Sequence, residues 1–408
     1  MRTTRIAAPL LLAMLLAAGC AGSTKPNEAS PDTGQRPETA APAPEDPIRT
    51  KLNAMTLDQK LGQMVIAGID GTEAGEQAKS LIANDYVGGF ILYKPNIEST
   101  AQTVRLLNGL KEANRANPAP LLLSVDQEGG RVNRMPGSFV SVPASRDIAK
   151  SGDSKKARAI GEAIGDQVRA LGFNVNFAPV FDVDSNPNNP VIGSRSFGSK
   201  ASVVASFAAE EMAGLRAKRV IPVAKHFPGH GDTSVDSHLE LPVVAKTADE
   251  LRKLELVPFA EAIRAKADMV MVAHILLPQL DPDRPSSMSS NIITELLRNE
   301  MGFDGVVITD DMTMGAILKH YDLGQAAVQS VKAGADIVLV AHDYAKAKQT
   351  LAALKQAAQS GVIAADAIDR SVYRILALKD RYKLSDAPSG PVDESAINAE
   401  LKKAIGGP

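Results

Sequence analysis

The stretch KHFPGHGDTSVDSH, residues 225 to 238, gathers three of the six histidines of a 408-residue chain with two aspartates, a lysine and two glycines. Pro228, Gly229 and Gly231 preclude a helix there. His226 and His230, four residues apart, therefore do not share a helical face as zinc-binding pairs do. On the resulting loop, Asp236 and His238 are one residue apart. The carboxylate can accept a hydrogen bond from the imidazole, which fixes its tautomer and favours its protonated form. Such a dyad can donate a proton to a leaving group and later take one from water. A second acidic feature, Asp310 and Asp311, ends the apolar run GVVITDD. Two acids flanking a bond are what glycoside hydrolysis needs, and a retaining enzyme uses one of them as nucleophile. Strand alternation puts Val306, Ile308 and Asp310 on one face and Val307, Thr309 and Asp311 on the other. Only one aspartate then faces a given side unless the strand bends, and the spacing leaves the choice open.

The elements that must position these residues alternate in a regular way from about residue 48 to 384. Eight short apolar runs, at 64–69, 87–93, 121–127, 175–183, 220–227, 269–275, 305–311 and 335–341, are separated by longer amphipathic stretches. Near-continuous apolar strands are expected where both faces of a parallel sheet are covered. Ile160, Ile164, Val168 and Leu171 follow helical spacing. Eight such units predict a single catalytic domain with an α/β fold, a (β/α)8 barrel of the TIM type. No GxGxxG or Walker sequence follows any run, so no nucleotide cofactor is expected. The run endings are polar: Asp126-Gln127-Glu128, Asp182 and Asp184, Lys225-His226, His274, Asp310-Asp311, and His342-Asp343. In a barrel these ends converge on one rim, where active sites lie.

Forty-five basic and forty-seven acidic side chains leave a net charge of −2. That balance gives no footprint for nucleic acid. At the N-terminus, Arg2 and Arg5 precede an apolar run from Ile6 to Ala18, too short to span a bilayer but suited to a signal peptide. Its end, Leu16-Ala17-Ala18-Gly19-Cys20, resembles a bacterial lipobox, with Cys20 as the lipidated residue. Cys20 is also the only cysteine, so no intramolecular disulfide can form. Residues 1–20 are thus expected to be a lipoprotein signal peptide. Residues 21–47, with six prolines, are expected to be a disordered tether. Residues 385–408 form a short extension beyond the barrel. This organisation implies a lipid anchor at Cys20 and a place in the cell envelope outside the cytoplasm.

Four motifs, DQEGGRVNR (126–134), IGSRSFG (192–198), KHFPGHGDTSVDSH (225–238) and ITDDM (308–312), resemble in order and spacing those of family 3 glycoside hydrolases of the bacterial β-N-acetylglucosaminidase branch. The resemblance covers residues 50 to 384. It implies that Asp310 is the nucleophile, that His238 is the general acid/base with Asp236 as its partner, and that Asp126, Arg134, Arg195, Lys225 and His226 hold sugar hydroxyls and the N-acetyl group. A small carbohydrate or muropeptide substrate, no metal, no cofactor and a monomer are expected. Phosphorolysis of the same bond and a non-catalytic sugar-binding lipoprotein are the alternatives.

Structural roles compete for several of these residues. Asp126 and Arg134 could form an ion pair at a strand end, and Arg195 could pair with Asp182. Asp182 and Glu128 read as scaffold, His274 as a satisfied core histidine, and His230 and Asp232 as braces of the loop. A metal-dependent hydrolase would use His226, His230, Asp236 and His238 as ligands, but their spacing does not match usual zinc sites.

Overall fold

The computed structural model of the protein describes residues 46–406. The expected signal peptide, Cys20 and the expected tether up to residue 45 lie outside the described residues. Asp46 caps the helix Pro47–Ala54 through its side chain.

Eight strands, β1 (Val65–Gly68), β2 (Gly89–Leu92), β3 (Leu122–Val125), β4 (Val175–Asn176), β5 (Ile221–Phe227), β6 (Met269–Val272), β7 (Val306–Asp311) and β8 (Ile337–Val340), close into a barrel in sequence order. Every neighbouring pair is parallel. The expected (β/α)8 architecture is therefore the fold. Nearly every strand residue is buried, because the barrel interior covers one face and a ring of helices the other. In the helix Ser154–Leu171, Ile160, Ile164, Val168 and Leu171 are all fully buried, as their spacing predicts.

Six of the eight runs extend past the C-terminal ends of their strands, while those of β5 and β7 end with them. The largest difference is at 175–183, where only Val175 and Asn176 form a strand. Pro179 has no N–H to give a ladder, and beyond it only a single bridge, Val180 to Lys225, continues the pairing. Two strands also break their own alternation. The register of β5 against β6 shifts between Ala224 and Phe227, and that of β7 against β8 shifts between Ile308 and Asp311. Both shifts fall where the polar residues begin.

The N-terminal face is fastened by buried charge. Lys379 donates to Gln63 Oε1 at 2.6 Å and to the carbonyl of Gly88 at 3.2 Å. Burial pushes its ammonium down to about 7. Asp268, before β6, accepts from Arg216, Arg381 and the Tyr382 hydroxyl at 3.1, 3.0 and 2.6 Å. The C-terminal extension is held as well. Its helix, Glu394–Ile405, buries Leu401 fully, the carbonyl of Ile405 accepts from Lys156 Nζ at 3.0 Å, and Asn398 Oδ1 accepts from the N–H of Val140 at 2.7 Å.

Closure sets a steric limit at Gly68, the last residue of β1. A Cβ there would stand 1.7 Å from the carbonyl oxygen of Ala341, just beyond β8. Overfilling a packed barrel costs about 1–3 kcal/mol or more. Gly68→Ala is expected to lower the urea midpoint of unfolding accordingly, with an unchanged m-value.

Candidate active site

The polar strand endings meet in a cavity of about 340 Å³ at the C-terminal mouth of the barrel. Phe177, Met271 and Leu339 contribute apolar lining. Asp126, Arg134, Arg195, Lys225, His226, His238 and Asp310 all line it. Asp236 stands behind His238 and accepts a hydrogen bond from it at 2.7 Å. The eight residues singled out in the sequence are thus brought together from five regions of the chain.

The register shifts explain how adjacent residues share the cavity. Lys225 and His226 both line it, as do Asp310 and Asp311, which regular alternation would forbid. The two aspartates differ in what they are bonded to. Asp311 accepts from the N–H groups of Ala341 and Thr313 at 2.9 Å each, and from the Thr313 hydroxyl at 2.6 Å. Asp310 accepts only the N–H of Asp311, at 2.8 Å, and among the described residues no Lys, Arg or His side chain lies within ion-pair distance of it. Burial pushes its carboxyl up, but the imidazoles of His226, His274 and His238 and the Asp311 N–H outweigh this and hold it below the ordinary carboxylate value.

A buried charge lattice forms the opposite wall. Glu128, 3% exposed, accepts from Arg195 in a bidentate pair at 2.8 and 2.7 Å and from Lys225 at 2.6 Å. Lys225 Nζ also donates to Asp126 at 2.5 Å. Burial opposes ionisation of Glu128, but the two cations prevail and hold its carboxyl far below the usual range. Glu128 is therefore the partner of Arg195, where pairing with Asp182 was the competing expectation. An Asp126–Arg134 ion pair is absent among the described residues; Arg134 lines the cavity with a buried Nε that has no hydrogen-bond partner there.

Asp182 orients the histidines instead. Its Oδ2 accepts from His226 Nδ1 at 2.7 Å, and its Oδ1 accepts the backbone N–H groups of His226 and His230 at 3.2 and 2.7 Å. The Nδ1 proton of His226 is thereby assigned, leaving Nε2 3.4 Å from Arg195. His230 is buried between the hydroxyls of Thr233 and Ser237, at 2.8 and 3.0 Å, and burial pushes its ring down to about 4. His274 bonds Ser287 and the carbonyl of Asp311 and does not line the cavity. Of the four residues weighed as metal ligands, His226 is bonded to Asp182, His230 to Thr233 and Ser237, and Asp236 and His238 to each other. Among the described residues no cluster of three or more His, Cys, Asp or Glu side chains is arranged to hold a metal ion.

The segment carrying the dyad is pinned along its length. Asn189 Nδ2 donates to the carbonyls of His230 and Gly231 at 2.8 and 3.1 Å, and Lys246 bridges Asp232 and Glu255 at 2.9 and 2.6 Å. The fit at Gly231 is so close that a Cβ would stand 1.6 Å from the carbonyl oxygen of Val183. Only the tip is open, with His238 65% exposed. Burial raises the Asp236 carboxyl, but the backbone N–H and ring of His238 pull it below its ordinary value.

Two ring-bearing lining residues, Tyr93 and His342, were not assigned from the sequence. Tyr93 follows β2, and its ring stacks on His342 with centroids 5.0 Å apart. Burial and the carboxylates of Asp311, Asp126 and Asp310 push its hydroxyl well above the usual value. Its position at the end of an apolar run was the available signal. His342, though noted at a strand end, was given no role.

A closed parallel barrel whose mouth collects acids, imidazoles and cations defines the class, a (β/α)8 protein with its site at the C-terminal strand ends. Residues 56–378 match the family model described as glycosyl hydrolase family 3 N terminal domain. The chain is 37% identical over 336 residues to beta-hexosaminidase A of Pseudoalteromonas piscicida, covering 76% of this chain but only 56% of that relative's length. It is 37% identical over 289 residues to a beta-hexosaminidase of Pseudomonas aeruginosa, covering 71% of this chain and 85% of the relative. The structure of a family 3 beta-N-acetylglucosaminidase from Paenibacillus sp. superposes with a TM-score of 0.81 at 44% identity, covering 86% and 68% of the two chains. The chain belongs to glycosyl hydrolase family 3.

Two tests follow from the buried charges. Glu128→Ala leaves the Arg195 and Lys225 cations short of their shared anion, and denaturant titration is expected to show a loss of about 3–5 kcal/mol. Glu211, on the helix Ala201–Ala217, is 1% exposed and has an oxygen without a hydrogen-bond partner among the described residues. Burial and the neighbouring Glu128 push its carboxyl from 4.5 up to about 8. The folded protein therefore keeps a proton that the unfolded chain releases, so stability present below pH 4.5 is lost as pH rises toward 8. Glu211→Gln is expected to flatten that decline in thermal melts recorded from pH 5 to 8.

Proposed function

We propose that this protein is a retaining, exo-acting β-N-acetylglucosaminidase. The observation that carries the reading is that Asp310, free of any ion pair among the described residues, and His238, backed by Asp236, open into one small cavity. Asp310 attacks the anomeric carbon while His238 gives its proton to the glycosidic oxygen, so the alcohol departs and a glycosyl ester remains on Asp310. His238 then takes a proton from water, whose oxygen attacks the anomeric carbon and releases Asp310. Asp236 steadies the imidazolium that enters the first step and is regenerated by the second. The lowered carboxyl of Asp310 suits a nucleophile, and the bonds that occupy Asp311 argue against the neighbour in that role.

Asp126, Arg134, Arg195, Lys225 and His226 bind the hydroxyls and N-acetyl group of the terminal sugar. The unsatisfied Nε of Arg134 leaves a donor for that purpose. A cavity near the lower end of the size range of small-molecule clefts, about 300–1,000 Å³, suits one terminal ring. The names of the relatives, beta-hexosaminidase and beta-N-acetylglucosaminidase, agree with this substrate class. The lipobox-like LAAGC and the Pro-rich segment after it favour an enzyme lipid-anchored at Cys20 in the envelope, meeting peptidoglycan fragments there.

The test compares 4-nitrophenyl β-N-acetylglucosaminide with the matching glucoside, in phosphate and in an inert buffer. The expected outcome is preference for the N-acetylated substrate, with N-acetylglucosamine as product in both buffers. Asp310→Ala is expected to lower kcat/KM at least about a thousandfold. His238→Ala costs about 10²–10⁴-fold on alkyl glycosides and less on the nitrophenyl substrate, whose leaving group needs little protonation. Preference for the glucoside, a sugar phosphate as product, or an active Asp310→Ala variant would each defeat the reading.

A further inference from the structure

Among the described residues six large apolar side chains are exposed, and four of them, Val235, Leu239, Val243 and Leu318, fall on two segments that touch at the cavity mouth. Leu239 is the most exposed of the six, at 65%. Val235, Leu239 and Val243 belong to the segment that carries His238, while Leu318 ends the short helix Gly315–Leu318 that follows β7. Gly315 N–H donates to the carbonyl of His238, and Ala316 N–H to that of Ser237, each at 3.1 Å. Gly315 permits this approach, because a Cβ there would stand 2.7 Å from the carbonyl oxygens of His238 and Leu239. Glu240 ties the same two segments together through His320 and through Lys319 at 3.4 Å.

Single exposed apolar residues need no explanation, but a group of them on one rim marks a place where something apolar binds. Here the backbone that would let Leu239 turn inward is held on both sides of His238. Glu240, Lys319 and His320, which follow the two segments, are spent on each other.

We propose that Leu239 and Leu318 form an apolar platform for the leaving group, and that an apolar substituent close to the glycosidic oxygen raises kcat/KM. The inference rests on the assignment of His238 as proton donor. The donor must reach the glycosidic oxygen, so the departing group lies beside the residue next to it, which is Leu239.

The experiment measures kcat/KM for the methyl, butyl and hexyl β-N-acetylglucosaminides, whose leaving alcohols are nearly equal in acidity, with the full chain and its Leu239→Ser, Leu239→Met and Leu318→Ser variants. The expected result is a rise of about tenfold or more from methyl to hexyl in the unsubstituted protein, chiefly through KM. Leu239→Ser and Leu318→Ser keep the methyl rate within about twofold but reduce the rise to less than about threefold, and Leu239→Met retains it. A rate independent of alkyl length overturns the platform, and is what a patch covered by a second copy of the chain or by lipid would give. A full gradient surviving in Leu239→Ser overturns it too. Failure to turn over the methyl glycoside at all overturns the proposed activity and the platform with it, whereas turnover without a gradient overturns the platform alone.

Discussion

Glu128 is buried against two cations, and the site wall is arranged around that pairing. Moving a carboxylate, a guanidinium and an ammonium out of solvent costs several kcal/mol per ion, and mutual contact at 2.6–2.8 Å is what offsets the cost. The contact joins β5, through Lys225, to the loop after β3 and to the turn at Gly193–Arg195. None of the three charges can move independently without stranding another. Lys225 extends the lattice to Asp126, so the cavity wall is a run of alternating charges fixed in place before any ligand arrives.

Asp182 plays the matching part for the imidazoles. It is fully buried, and it is used three times over, by the His226 ring and by the backbone of His226 and His230. His230 in turn holds Ser237. The chain between the fifth strand and the exposed His238 is thus connected by hydrogen bonds from the barrel wall to the tip. The part of this connection from His226 to Gly231 is buried and braced. Its glycines serve close backbone approach, most plainly at Gly231 against Val183.

The barrel was legible because its signal is physical and repeated: eight buried parallel strands must be apolar on both faces, and the helices between them on one. The meeting of the site residues at one rim was legible for the same reason, since parallel strands bring all their C-terminal ends to one side. Glu128 was not assigned a partner because its cations are 67 and 97 residues away and only barrel closure makes them neighbours. Tyr93 was missed because an aromatic at the end of an apolar run looks like more of the run.

The residue types and their local spacings are properties of the chain alone. The Asp-x-His dyad needs only two residues of loop to form, and the Pro-Gly breaks that make that loop act within a few bonds. The choice between Asp310 and Asp311 is different in kind. Alternation offers one aspartate to the cavity, but the register shift against β8 turns both toward it, and the N–H of Ala341 and the Thr313 hydroxyl then occupy Asp311 and leave Asp310 free. That outcome depends on a strand 30 residues further along the chain, and only the closed barrel brings its end within hydrogen-bonding distance.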